Sequence, residues 1–143
     1  MKKALVIIGI ITGFGITTDA QNLVGLPKEE VVELVKKDHK DFRKDGSVIK
    51  QQFNYLKYVN GMRTKTWILY FDDDDICKTS KIICDYSEIR EMEEDLNSKF
   101  ERTGEFNWEY KVGSDTFQIE LIRQEWYFTI RETRKQSEEV KAD

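Results

Sequence analysis

The sequence predicts an α+β fold: two helix-plus-three-strand halves forming one antiparallel sheet, with the helices packed on one face. Two runs rich in aromatic and β-branched residues flank Asn60-Gly61, the strongest short-range hairpin signal a chain offers. Ile89, Met92, Leu96 and Phe100 recur at the three- and four-residue spacing of a single helical stripe. Phe106, Trp108, Tyr110 and Val112 alternate with Asn107, Glu109 and Lys111, the period of a strand with one buried side.

Residues 1–20 are a different material from the rest. Lys2 and Lys3 give a positive start, an apolar run fills residues 4–16, and Thr18-Asp19-Ala20 puts small residues where a signal peptidase reads. The run is shorter than the roughly 20 apolar residues of a spanning helix. It reads as a secretory signal peptide cut after Ala20, leaving no membrane span in the mature chain. Removing Lys2, Lys3 and Asp19 takes the net charge from −4 to −5. The expected location is secreted or periplasmic. Residues 21–133 read as a single α+β domain with possible halves at 21–85 and 86–133, and the charged tail 134–143 as disordered.

A first helix is expected over residues 27–39, with Pro27 in its first turn, Glu29 and Glu30 at its positive end, and Val31, Val32, Leu34 and Val35 facing the core. Residues 42–49 contain the turn signal Asp45-Gly46 and read as an irregular link or a short extra strand ending in Val48-Ile49. A two-residue turn at Asn60-Gly61 pairs Val59 with Met62, Lys57 with Thr64, Tyr55 with Thr66 and Phe53 with Ile68. Those residues and Tyr70 share one face, taken as the core side because of Phe53, Tyr55 and Ile68. The opposite face carries Leu56, Tyr58, Arg63, Trp67 and Leu69. Residues 72–75 form a turn and 76–85 a third strand. Asp85-Tyr86-Ser87-Glu88 has a capping-box pattern for the second helix, which Gly104 ends. Phe117, Ile119 and Leu121 line one face of a fifth strand; Trp126, Phe128 and Ile130 line one face of a sixth. Phe53-Asn54-Tyr55 aligns with Phe106-Asn107-Trp108 at a shift of 53, which suggests an internal repeat.

Leu23-Val24-Gly25-Leu26-Pro27-Lys28-Glu29-Glu30-Val31 resembles the helix start of small secreted bacterial modules, the outer-membrane assembly lipoprotein family BamE and the β-lactamase-inhibitor-protein repeats. The resemblance covers about the first fifteen mature residues. It implies a helical segment packed on an antiparallel sheet and work done by protein binding. The chain departs from BamE in lacking a lipidated Cys and in having a second helix with further strands.

With 35% charged residues and a net charge of −4, the chain lacks the basic excess of a nucleic-acid binder. His39 is the only histidine, in a polar stretch at a helix end, so a triad or zinc site would have no second imidazole. Asp72, Asp73, Asp74 and Asp75 are adjacent rather than spaced as calcium ligands, and read as a solvated turn. No catalytic residue, metal or cofactor is assigned. Cys77 and Cys84 are a possible disulfide in an oxidising compartment, yet in one straight strand seven steps of about 3.3 Å hold them roughly 23 Å apart. Two reduced, partly buried thiols are the favoured state. Most aromatics, Phe53, Tyr55, Phe106, Trp108, Phe117, Trp126 and Phe128, fit a core. The expected binding surface is Leu56, Tyr58, Arg63, Trp67 and Leu69, rich in the residue types that concentrate binding energy. The expected function is a protein-binding, inhibitor-like module for an unknown protein partner, with a small-ligand or lipid carrier and a small extracellular hydrolase as alternatives.

Overall fold

A computed structural model describes residues 23–47 and 51–135. The signal-peptide segment, the expected strand end at Val48-Ile49 and residues 136–143 of the tail lie outside the described residues. Element order is α1 (Lys28–Asp38), β1 (Phe42–Lys44), β2 (Tyr55–Asn60), β3 (Lys65–Phe71), β4 (Cys77–Asp85), a 3-10 turn (Tyr86–Glu88), α2 (Ile89–Lys99), β5 (Glu101–Gly104), β6 (Asn107–Val112), β7 (Asp115–Arg123) and β8 (Tyr127–Arg134). The strands form one eight-stranded antiparallel sheet in the order β1-β2-β3-β4-β8-β7-β6-β5. The expected two halves of one helix and three strands are therefore incorrect. β5 (ERTG), polar and fully exposed at one sheet edge, was not anticipated, and β1 (FRK), which buries only Phe42 at the other edge, lies earlier in the 42–49 link than the short strand expected to end at Val48-Ile49. β5 takes the chain up to Gly104, so α2 ends at Lys99, before the glycine expected to stop it.

The helices begin as their sequences require. Pro27, in extended geometry, precedes α1, and Glu29 and Glu30 occupy its first turn. Asp85 caps the 3-10 turn before α2 by accepting from the Ser87 N–H at 3.0 Å. Gly25 has φ +92, and a β-carbon there would collide with the Arg134 guanidinium. This turn lets Gly25 N–H donate to Cys77 O and Cys77 N–H to Leu26 O, at 2.7 and 2.8 Å, which ties α1 to the start of β4.

The hairpin register differs from the expected one. Tyr55 pairs with Tyr70 and Val59 with Thr66, four residues further along than a two-residue turn allows. Asn60 stays in the ladder opposite Phe42. Its side chain closes a four-residue loop by accepting from Lys65 N–H at 2.9 Å and donating to Thr64 Oγ1 at 2.9 Å. Arg63, not Gly61, takes the left-handed conformation, with φ 57. A four-residue shift preserves which residues share a face.

What changes is which face is the core. Leu56, Tyr58, Trp67 and Leu69 are buried, together with Ile82, Cys84, Trp108, Ile119, Leu121, Phe128 and Ile130 of the neighbouring strands. Val31 and Val35 of α1 and Met92 and Leu96 of α2 join the same cluster, so both helices pack on this inner face. Trp67 is its anchor. His39 and Phe42 meet its ring at centroid distances of 4.9 and 5.2 Å in edge-on geometry, and its indole Nε1–H donates to Ser80 Oγ at 2.8 Å. His39 is thus buried against the core rather than solvated. Phe53 is 45% exposed and Trp126 80% exposed, so both leave the expected core. The expected repeat match also fails at residue level: Tyr55 points to the outer face and Trp108 to the inner one.

Trp67→Ala should lower unfolding free energy by about 3–5 kcal/mol. Urea denaturation measures it; a loss below about 1 kcal/mol would mean that Trp67 is not the anchor.

Candidate functional site

Four of the five residues expected to bind a partner, Leu56, Tyr58, Trp67 and Leu69, are inside the molecule. The physical cause is that α1, His39 and Phe42 cover their face, while among the described residues the alternating face, apart from buried Ile68 and Thr129, stays partly exposed. Arg63 remains exposed, in the loop between β2 and β3. The structure therefore does not bring the five together as a surface.

The outer face is built by the same register. Across β2, β3, β4, β8 and β7, one row reads Val59, Thr66, Ile83, Thr129 and Ile122. The next reads Lys57, Ile68, Lys81, Arg131 and Glu120. A third reads Tyr55, Tyr70, Thr79, Thr133 and Gln118. Among the described residues neither helix lies over these rows. Threonines and isoleucines favour strand geometry while leaving a face of mixed polarity.

Charge on this face is distributed unevenly. Lys57 bonds Asp45 at 3.1 Å and Ser47 Oγ at 2.7 Å. These contacts, with the Ser47 backbone N–H contributing most, hold the Asp45 carboxyl below its ordinary range. Arg131 Nη2 meets Glu120 Oε2 at 2.7 Å. Arg131 Nε is shielded from solvent and has no hydrogen-bond acceptor. Lys81 stands directly opposite Arg131 in the ladder, cation beside cation.

The rim of the face is aromatic. β7 and β8 are joined by a tight turn, closed by Gln124 N–H donating to Tyr127 O at 2.9 Å, with Trp126 at its tip. Tyr86 reaches from the 3-10 turn and donates its hydroxyl to Gln124 O, while its ring packs near Phe128. The turn is therefore held in place while Trp126 projects. Tyr127 is 41% exposed, and Met62, in the loop at the same end of the sheet, is 81% exposed. Exposure of Trp126 was the signal that sequence reasoning missed: alternation from Phe128 and Ile130 placed it inward, but the strand starts one residue after it.

Several further polar groups have structural partners. Asp72 Oδ1 accepts from the N–H groups of Asp74 and Ile76 at 2.9 and 3.0 Å, and Asn54 donates to Asp75 Oδ1 at 2.5 Å while accepting from Lys28 Nζ at 2.7 Å. The acidic turn is thus a self-closing loop. Among the described residues no group of three or more His, Cys, Asp or Glu side chains gathers to hold a metal. Glu132 is buried on the inner face and accepts from the Tyr110 hydroxyl. Cys77 and Cys84 are both buried, and no disulfide joins them. They share the inner face, contrary to straight alternation, because the ladder is irregular at Tyr70/Phe71, where Phe71 pairs with Cys77.

Comparison of the chain with protein-family models, with curated proteins and with solved structures found no match. No described helix is long and apolar enough to cross a membrane.

Burial pushes the Cys77 thiol up from 9.0 to about 12, and the nearby Glu132 carboxylate adds to the effect. The folded thiol keeps its proton where the unfolded one releases it. Its contribution to stability is fully present below pH 9 and is lost as pH rises toward about 12. Urea titrations at about pH 8 and about pH 10.5 should show this loss, and Cys77→Ala should make it smaller. Burial also raises the Tyr58 phenol above its ordinary value, so some alkaline loss persists in the variant. An unchanged loss in Cys77→Ala would refute the assignment to Cys77.

Proposed function

We propose that this chain is a protein-binding module that engages its partner through the outer face of the sheet and the rim carrying Trp126. The observation that carries the reading is an indole 80% exposed on a turn held by Tyr86. A large apolar side chain on a fixed turn gives the free protein nothing in burial. On a partner it supplies area at little ordering cost, which is the property of interface hot spots. Tyr127 and Met62 extend the apolar rim, and Val59, Ile83 and Ile122 continue it onto the face.

Export to the periplasm or the medium belongs to the same reading and rests on the signal-peptide pattern of residues 1–20. An inhibitor-like mode of action fits a rigid sheet presenting one face. Descent from a duplicated module is part of the proposal as well. Its support is architectural: a helix followed by four strands occurs twice, and the strand order is palindromic.

Trp126→Ala should weaken partner capture by roughly 30-fold or more, matching a hot-spot loss of about 2 kcal/mol. Its midpoint of thermal unfolding should stay within about 2 °C of the parent, since an exposed side chain contributes little to stability. Pull-down from the native envelope fraction, alongside differential scanning calorimetry, measures both. Capture undiminished in Trp126→Ala would remove the rim from the function.

A further inference from the structure

The pairing of β4 with β8 places Lys81 directly across from Arg131 at the middle of the outer face. Like charges directly opposite in a ladder destabilise a sheet. Here the pair has one carboxylate between two cations: Glu120 takes Arg131 Nη2 at 2.7 Å, and Lys81 bonds none of the described residues. Arg131 Nε is out of contact with solvent and has no acceptor. A shielded donor left without an acceptor destabilises the fold. Two unmet cationic demands at one spot thus stand on a chain whose net charge is −4.

Apolar residues flank the Lys81 side of the pair. Ile68 precedes Lys81 in its row, and Ile83 stands one row toward the rim. Rows on one face are separated by two residues, roughly 7 Å.

We propose that the Lys81–Arg131 pair receives a carboxylate from an acidic protein segment, with an apolar side chain about 7 Å from that carboxylate seating against Ile83. The inference rests on the binding-module reading and names the chemistry of its partner. The Arg131 side chain is 43% exposed, which leaves room for it to turn Nε toward the incoming oxygen. Lys81 then gains the counter-charge that none of the described residues gives it.

The test is a titration of the 15N-labelled full chain with the acetylated, amidated peptide Leu-Glu-Leu-Glu-Leu, followed by amide chemical shifts. Shifts should centre on Lys81, Ile83, Thr129 and Arg131, and Lys81→Glu should weaken binding ten-fold or more while Lys81→Arg retains it. The same peptide with Lys for Glu should leave these amides in place. Binding of the Lys peptide to the same amides, or shifts located elsewhere, overturns the proposal. Inorganic phosphate matching the Glu peptide in affinity overturns it too, because the site would then read bare charge. The chain's own Glu138 and Glu139 are the rival occupant: if Glu138→Gln with Glu139→Gln moves these amides without any peptide, the site is filled from within. Failure of the peptide while Trp126→Ala still abolishes partner capture removes the acidic-segment inference alone. Peptide binding with capture unaffected by Trp126→Ala removes the rim reading and leaves the cation pair standing.

Discussion

The antiparallel ladder between β4 and β8 is the contact on which the rest of the architecture depends, because it joins the last strand of each four-strand run. Each run alone would present its helix with a narrow sheet and expose one long edge. Joined, they give an inner face wide enough for α1 and α2 to share one core cluster. The ladder aligns Ile82 with Ile130 and Cys84 with Phe128 at its centre, and these pairs knit the two runs together. On the opposite side the same register sets Lys81 against Arg131. One set of backbone hydrogen bonds thus determines both the core and the charge pattern of the outer face.

Polar groups on the inner face are tolerated because each is given a partner. Trp67 Nε1 uses Ser80, and Glu132 takes the Tyr110 hydroxyl. Ser80 and Glu132 are cross-strand neighbours, so the polar groups are concentrated at one position of the central ladder. Clustering of this kind lets buried donors and acceptors satisfy one another rather than remain scattered and unmet. The outer face differs at the corresponding central row, where Lys81 and Arg131 are not matched in number by carboxylates.

Much of the local structure was legible in the sequence: the cap at Asp85, the stripe of Met92 and Leu96, and the alternation around Trp108. The choice of core face was not. Phe53, Tyr55 and Ile68 on one side and Leu56, Tyr58, Trp67 and Leu69 on the other are both apolar enough to be buried. The decision is tertiary, made where α1 and Phe42 settle on Trp67. Charge did not separate them in the sequence, since Lys57 and Thr66 interrupt the first set and Arg63 and Lys65 the second. The register was obscured because Asn60-Gly61 matches a two-residue turn, whereas the Asn60 side chain closes a longer one. Trp126 was misplaced for a related reason: alternation fixes a face only within a strand, and the strand begins at Tyr127.

The sheet edges constrain how the proposed partner would meet this protein. An exposed edge strand invites pairing with an extended segment of another chain. Here one edge is β1, three residues long, with Arg43 and Lys44 exposed. The other is β5, four exposed residues with an irregularity between Arg102 and Gly104, where Arg102 also bonds Glu93 at 3.1 Å. Both are short and charged, and the second is distorted, features that discourage strand addition. Recognition by backbone pairing is therefore disfavoured at either end. On the proposed binding-module reading, what remains is recognition through side chains on the outer face and its rim. There the cation pair lies on two central strands of the sheet, and Trp126 projects from a turn that Tyr86 ties in place.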